Sequence, residues 1–114
     1  MNKAELEERT LVFSVGLIKA LKTLPKNIFN HRLSGQVTDS GTSIGVNYRE
    51  ANGAESRRDF KHKVYIAFKE ARETKYWLTV LRETNPQIET LDELWQEADE
   101  LSRIFGSICS SCRQ

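Results

Sequence analysis

Four stretches of this chain each carry small or apolar residues at alternating spacings of three and four, and no other feature restricts the fold as strongly. The first row is Leu6, Thr10, Phe13, Leu17, Ala20 and Leu24, and the second is Leu33, Val37, Ser40, Ile44, Asn47 and Ala51. The third is Phe60, Val64, Ala67, Ala71, Thr74, Leu78 and Leu81, and the fourth is Leu91, Leu94, Ala98, Leu101, Phe105, Ile108 and Cys112. Side chains at this spacing stay on one side of an α-helix, so each row is a seam that has to be covered by another helix. Strand patterning is nearly absent, since the alternation at Ile44-Gly45-Val46 falls inside the second seam.

The breaks between seams carry stop and start chemistry. Pro25 cannot continue a helix, Gly53 is suited to a left-handed close, and Asn85-Pro86 marks a third break. Ser56 with Asp59 reads as an N-cap with an acid three residues on, and Thr90 with Glu93 as a capping box. The expectation is one domain over 1–114 with helices near 3–24, 28–52, 57–84 and 91–112. Short connections make neighbours antiparallel, giving an all-α, up-down-up-down four-helix bundle.

A chain of 114 residues with 39% hydrophobic content can bury a core without a disulfide or a structural metal. Cys109 and Cys112 are expected as free thiols, because a bridge between them would close only a tiny loop. A zinc site would need two further ligands, and the end of a helix disfavours a thiolate. No run is long and apolar enough to span a bilayer, and the start Met1-Asn2-Lys3-Ala4-Glu5 is too polar for a signal peptide, so a cytoplasmic location is expected.

Apolar residues also lie outside the seams. The third helix shows Tyr65, Phe68, Tyr76 and Trp77 in several directions, which points to a second packing surface, most simply for self-association. The second helix is rich in Gly35, Gly41 and Gly45, each costing about 1 kcal/mol against Ala, so close helix approach should compensate.

Two runs carry a family resemblance. Ser43, Ile44, Asn47 and Glu50 in the second helix, with Ile66, Ala67, Glu70, Glu73, Thr74, Trp77 and Leu78 in the third, resemble the motifs of the four-helix-bundle family of 23S ribosomal RNA intervening-sequence proteins. Tyr48-Arg49 stands where that family has Ile-Ala, and Ala51 where Gly often follows the Glu. The resemblance implies a small bacterial bundle that forms a ring-like homopentamer. A related branch is the accessory variability determinant of diversity-generating retroelements, which binds nucleic acid and a reverse transcriptase.

Catalytic and metal signatures are missing. The di-metal bundles use paired Glu-x-x-His elements, and this sequence has none, so no catalytic residue, metal ligand or cofactor is expected. His31 and His62 read as ordinary exposed histidines. Asn47, Glu50, Glu70 and Glu73 are expected to form a structural polar cluster between the second and third helices.

Charge is uneven although the net value is only +1. Between Ser56 and Tyr76 stand seven bases, Arg57, Arg58, Lys61, Lys63, Lys69, Arg72 and Lys75, against three acids, whereas the fourth helix is acidic. Arg57, Arg58, Lys61 and Lys63 are the first candidates for phosphate contact, with Lys22 and Lys26 next. Interleaved Tyr65, Phe68 and Tyr76 could stack bases. The plain alternative is a basic face that pairs with the acidic fourth helix. With the resemblance, these features make a non-enzymatic homo-oligomeric adaptor for nucleic acid or a nucleic-acid enzyme the expected function. The other reading is a protein-binding scaffold.

Overall fold

The computed structural model describes residues 1–112 and contains α1 (Lys3–Leu21), α2 (Ile28–Asn52), α3 (Arg57–Thr84) and α4 (Thr90–Ser111). Each helix buries most of the seam read from its sequence, with Leu33, Asn47, Phe60, Leu94, Ile108 and Cys112 half-buried. Leu17, Val37, Ile44, Val64, Leu78, Leu81, Leu91, Leu101 and Phe105 are wholly excluded from solvent. Consecutive helices pack side by side, and α4 returns against α1, so α1 and α3 occupy opposite corners of an antiparallel bundle. The molecule extends 45 × 21 × 19 Å, and the long dimension is close to the length of α3 at about 1.5 Å per residue. Tyr48 of α2 meets Phe105 of α4 edge-on across the core, with ring centroids 5.3 Å apart.

Helix ends depart from the sequence expectation in three places. Residue Pro25 does not set the end of α1, which closes at Leu21. Thr23 N–H bonds to Ala20 and Leu24 N–H to Leu21, a tight turn that still delivers Leu24 to the core. Gly53 is not left-handed, with φ −97° and ψ 6°, because Gly53 N–H and Ala54 N–H close the last turn on Glu50 and Ala51. Thr90 caps nothing, since Glu89 is already helical and the turn from Asn85 runs straight into α4. Ser56 does accept from Asp59 N–H, as its pattern suggests.

Close approach explains two of the three α2 glycines. A Cβ on Gly45 would sit 2.8 Å from Thr10 Oγ1 and 3.1 Å from Thr10 Cβ, and one on Gly41 would overlap the Leu17 side chain. α1 therefore lies on α2 nearly backbone to side chain. Gly35 has nothing within 4 Å and only loosens the helix.

Two buried polar pairs fix register. Thr74 Oγ1 donates to Ser40 Oγ at 2.9 Å, joining α3 to α2 in mid-bundle. Asn30 and Asn85 exchange reciprocal amide hydrogen bonds of 3.0 Å, and Asn30 also donates to the Pro25 carbonyl while Asn85 donates to that of Leu81. One amide pair thus ties the α1–α2 turn to the α3–α4 turn.

Replacing Gly45 by Ala should destabilise the fold by about 1–3 kcal/mol through overpacking against Thr10. The matched change Gly35→Ala should stabilise it by up to about 1 kcal/mol. Equal effects of the two in urea unfolding would contradict the close-approach account. Asn85→Ala should lower stability by about 1–3 kcal/mol, because it leaves the buried Asn30 amide without its partner. Thermal or urea denaturation reads that loss directly.

Candidate nucleic-acid interface

The register of α2 on α3 decides where the polar and charged side chains go. With Ser40 opposite Thr74, Glu50 falls opposite Lys63, whose Nζ donates to Glu50 Oε1 at 3.3 Å. Asn47 turns back onto its own helix and donates to the Ser43 carbonyl at 2.8 Å. Glu73 accepts from Trp77 Nε1 at 3.1 Å. Glu70 is half-buried, and burial raises its pKa, with Glu73 and Asp39 adding to the shift against Lys69. Among the described residues no hydrogen bond links any two of Asn47, Glu50, Glu70 and Glu73. The polar joints between α2 and α3 are the Ser40–Thr74 bond and the Glu50–Lys63 pair instead.

On its α4 side, α3 spends its cations on acids. Lys75 Nζ donates to Asp99 Oδ1 at 2.7 Å, and Arg103 reaches the other oxygen at 3.1 Å. The hydrogen bond from Lys75 holds the Asp99 carboxyl below its ordinary pKa. Arg82 approaches Asp92 at 3.7 Å. Trp95 packs beneath both Lys75 and Arg82, with its Nε1 donating to Thr79 Oγ1. The plain alternative of a basic helix paired with an acidic one is therefore realised on this side.

The outer side of α3 is different. Arg58, Tyr65, Lys69, Arg72 and Tyr76 follow at helical spacing on the side turned away from the seam, and all five are exposed. They form a stripe about 27 Å long. Tyr65 is 51% and Tyr76 62% accessible. Lys69 Nζ lies 5.8 Å from the Tyr65 ring centre, and Arg72 lies 5.6 Å from that of Phe68. Neither cation makes an ion pair among the described residues.

The sequence candidates divide accordingly. Arg57, Arg58 and Lys61 stand in the first turns of α3 at one end of the stripe, and Arg58 borders a shallow recess with Ser56, Asp59 and His62. Lys63 is engaged by Glu50. Lys22 and Lys26 are exposed at the other end of the bundle, where the Asn30–Asn85 pair holds the two turns together, so they do not join the first group. Among the aromatics, Phe68 is half-buried against the backbone of Gly106, and Trp77 is packed on the core. In the sequence, Lys69 and Arg72 stand out only through the charge balance of their helix. Their spacing to Tyr65 and Tyr76, four, three and four residues, is the signal that places them on one face. Exposed Ile28 and Phe29 at the start of α2 belong to no seam and have no periodic signature.

No group of three or more His, Cys, Asp and Glu among the described residues is placed to hold a metal ion. Cys109 and Cys112 both carry reduced thiols. Among the described residues, no helix is long and apolar enough to cross a membrane.

Fold and surface together define a small all-α bundle whose distinguishing face is a basic and aromatic stripe on one outer helix. Residues 2–107 match the model of the 23S rRNA-intervening sequence protein family. The chain belongs to that family. It is also similar to a crystal structure from Bacteroides thetaiotaomicron, described as a protein with unknown function from the S23 ribosomal protein family. The identity is 36%, the TM-score is 0.85, and the match covers 96% of this chain and 99% of that one. No curated protein matches the chain.

Because Asp99 is held below its ordinary pKa, the ionised Asp99–Lys75 pair stabilises the fold above the unfolded carboxyl value of about 4 and ceases to do so as pH falls through the lower folded value. Thermal melts of the wild type and Asp99→Asn should differ at pH 7 and converge in acid, once the pH lies below the lowered folded value. A difference that persists in acid would show that Asp99 acts without its charge.

Proposed function

We propose that this chain is a non-enzymatic, self-associating bundle that holds nucleic acid, or an enzyme that works on nucleic acid such as a reverse transcriptase, against the outer face of α3. The carrying observation is the exposed stripe of Arg58, Tyr65, Lys69, Arg72 and Tyr76, where cations accompany aromatic rings and Lys69 and Arg72 make no ion pair among the described residues, with Glu73 the one acid bordering the recess that they and Tyr76 line. Such cations attract phosphates by counterion release, while aromatic faces accept unpaired bases irrespective of sequence. Arg57, Arg58 and Lys61 extend the cationic stretch toward the start of the helix. In a ring such as the homopentamer implied by the family resemblance, the stripe would recur in every subunit, and modest single-site affinity would be multiplied.

The near-neutral net charge makes this a shaped contact instead of indiscriminate adhesion. Single-stranded RNA suits the stripe better than duplex, because Tyr65 and Tyr76 offer stacking surfaces that paired bases cannot use.

The test is binding of a labelled single-stranded RNA at several salt concentrations. Lys69→Glu with Arg72→Glu should reduce affinity at least about tenfold and flatten the log–log salt dependence by about 0.7 for each phosphate no longer neutralised. Tyr76→Ala should cost about 1–3 kcal/mol per stacked base. Lys3→Glu with Lys19→Glu, the same charge change placed on α1 away from the stripe, should have little effect. Salt-independent binding, or equal losses for the α3 and α1 double reversals, would overturn the reading. Capture of a protein partner that survives the α3 charge reversals would favour a protein scaffold.

A further inference from the structure

Lys69, Arg72, Glu73 and Tyr76 occupy the corners of one patch on α3, because residues three and four apart along a helix are neighbours on its surface. With Lys75 they line an open recess of about 500 Å³, a size that suits a small ligand. Lys75 is spent on Asp99, whereas Lys69 and Arg72 make no ion pair among the described residues and lie against aromatic rings. Glu73 is the one acid on the recess. It is out of place if the recess holds only phosphate, since a carboxylate repels the anion that the two cations attract.

Glu73 is exposed, and it takes neither cation as a partner, although Lys69 stands four residues before it. Its Oε2 accepts from Trp77 Nε1 at 3.1 Å, and its Oε1 accepts nothing among the described residues. Trp77 is packed on the core, so the carboxylate is oriented by a fixed donor. The Tyr76 ring, 62% accessible, stands edge-to-face with the same indole, with centroids 5.2 Å apart and planes at 78°. One anchored indole thus positions both an acceptor and a stacking surface.

Stacking tolerates any base, because every base has a π face. A carboxylate is selective, because it accepts hydrogen bonds and donates none. Guanine alone among the RNA bases presents two adjacent donors, N1–H and the N2 amino group, on its Watson–Crick edge. Adenine and cytosine set one amino group beside an acceptor nitrogen, and uracil sets one N–H between two carbonyls, so each turns an acceptor toward the carboxylate. Both Glu73 oxygens can serve, since Oε2 keeps a lone pair after the Trp77 bond. We propose that Glu73 makes the α3 stripe prefer unpaired guanine. The base stacks on Tyr76, its N1–H and N2 amino group donate to the Glu73 carboxylate, and Lys69 and Arg72 hold the flanking phosphates. This inference rests on the nucleic-acid reading above and adds a base preference to it.

The experiment titrates the full chain against labelled uridine decamers whose one central residue is guanosine, inosine, adenosine, cytidine or uridine, with fluorescence anisotropy as the readout. The guanosine decamer should bind at least about tenfold more tightly than the uridine, adenosine and cytidine decamers, the discrimination expected of a bidentate base contact. Inosine keeps N1–H but lacks the amino group, so it should lose most of that gain. Glu73→Gln keeps an oxygen for Trp77 but sets an amide donor against the base. It should abolish the preference and leave the affinity for the all-uridine decamer unchanged or higher, which a loss of structure would not do. Equal affinity of the wild type for all the decamers, inosine bound as tightly as guanosine, or a guanosine preference intact in Glu73→Gln would overturn the proposal. Salt-dependent binding without preference sinks this inference alone, whereas failure of every decamer to bind sinks the nucleic-acid reading and this inference with it.

Discussion

The closeness of α1 to α2 governs what the other helices can do. Gly41 and Gly45 remove the side chains that would hold α1 off, so Leu17 and Thr10 settle against the α2 backbone. A helix drawn to one neighbour leaves the other. α1 packs sparsely on α4, and the gap between them is a groove of about 570 Å³ lined by Val12, Phe13, Gly16, Ala20 and Leu94. The groove is bridged at one end by Arg9, which donates to both oxygens of Glu97 at 2.6 and 2.7 Å and reaches Glu100 at 3.2 Å. That shared carboxylate contact raises the Arg9 pKa further and replaces apolar packing that α1 lacks on this side. Val12, which lines this groove, stays exposed for the same reason.

The bundle was legible because its information is periodic and redundant. Every seam residue reports the same face, so a polar substitute at one position, as at Thr10 or Ser40, does not hide the row. Boundaries were less legible because they depend on single bonds whose alternatives are close in energy. Pro25 marks the last residue at which α1 could continue, whereas the turn at Ala20 and Leu21 ends it earlier. Gly53 permits a left-handed close without requiring it, and the backbone closes the turn with right-handed bonds.

The polar interior was the hardest part to read. Asn47, Glu50, Glu70 and Glu73 share a groove between α2 and α3 by sequence position, yet their bonding is settled by register, which no single helix pattern contains. One hydroxyl pair, Ser40 with Thr74, sets that register and sends Glu50 to Lys63. Likewise, Asn30 and Asn85 are 55 residues apart, and only the turn geometry brings their amides together. Asn85 is legible in the sequence as a break beside Pro86. Its second task, holding two turns in contact, is a tertiary property.

Charge segregation explains how a nearly neutral chain still offers a cationic face. The acids of α4 that could neutralise α3 lie on the flank where the two helices meet, and there they are consumed by Lys75, Arg82 and Arg103. Pairing of this kind cancels charge locally and contributes little to the potential elsewhere. The outer stripe of α3 lies across the helix from those pairs, a separation comparable with the screening length of about 8 Å at physiological salt. Lys69 and Arg72 therefore act on their surroundings as cations, although a count over the helix pair would assign them partners. Net charge measures what the chain carries, and the side of the helix on which each acid lies determines what a phosphate approaching α3 encounters.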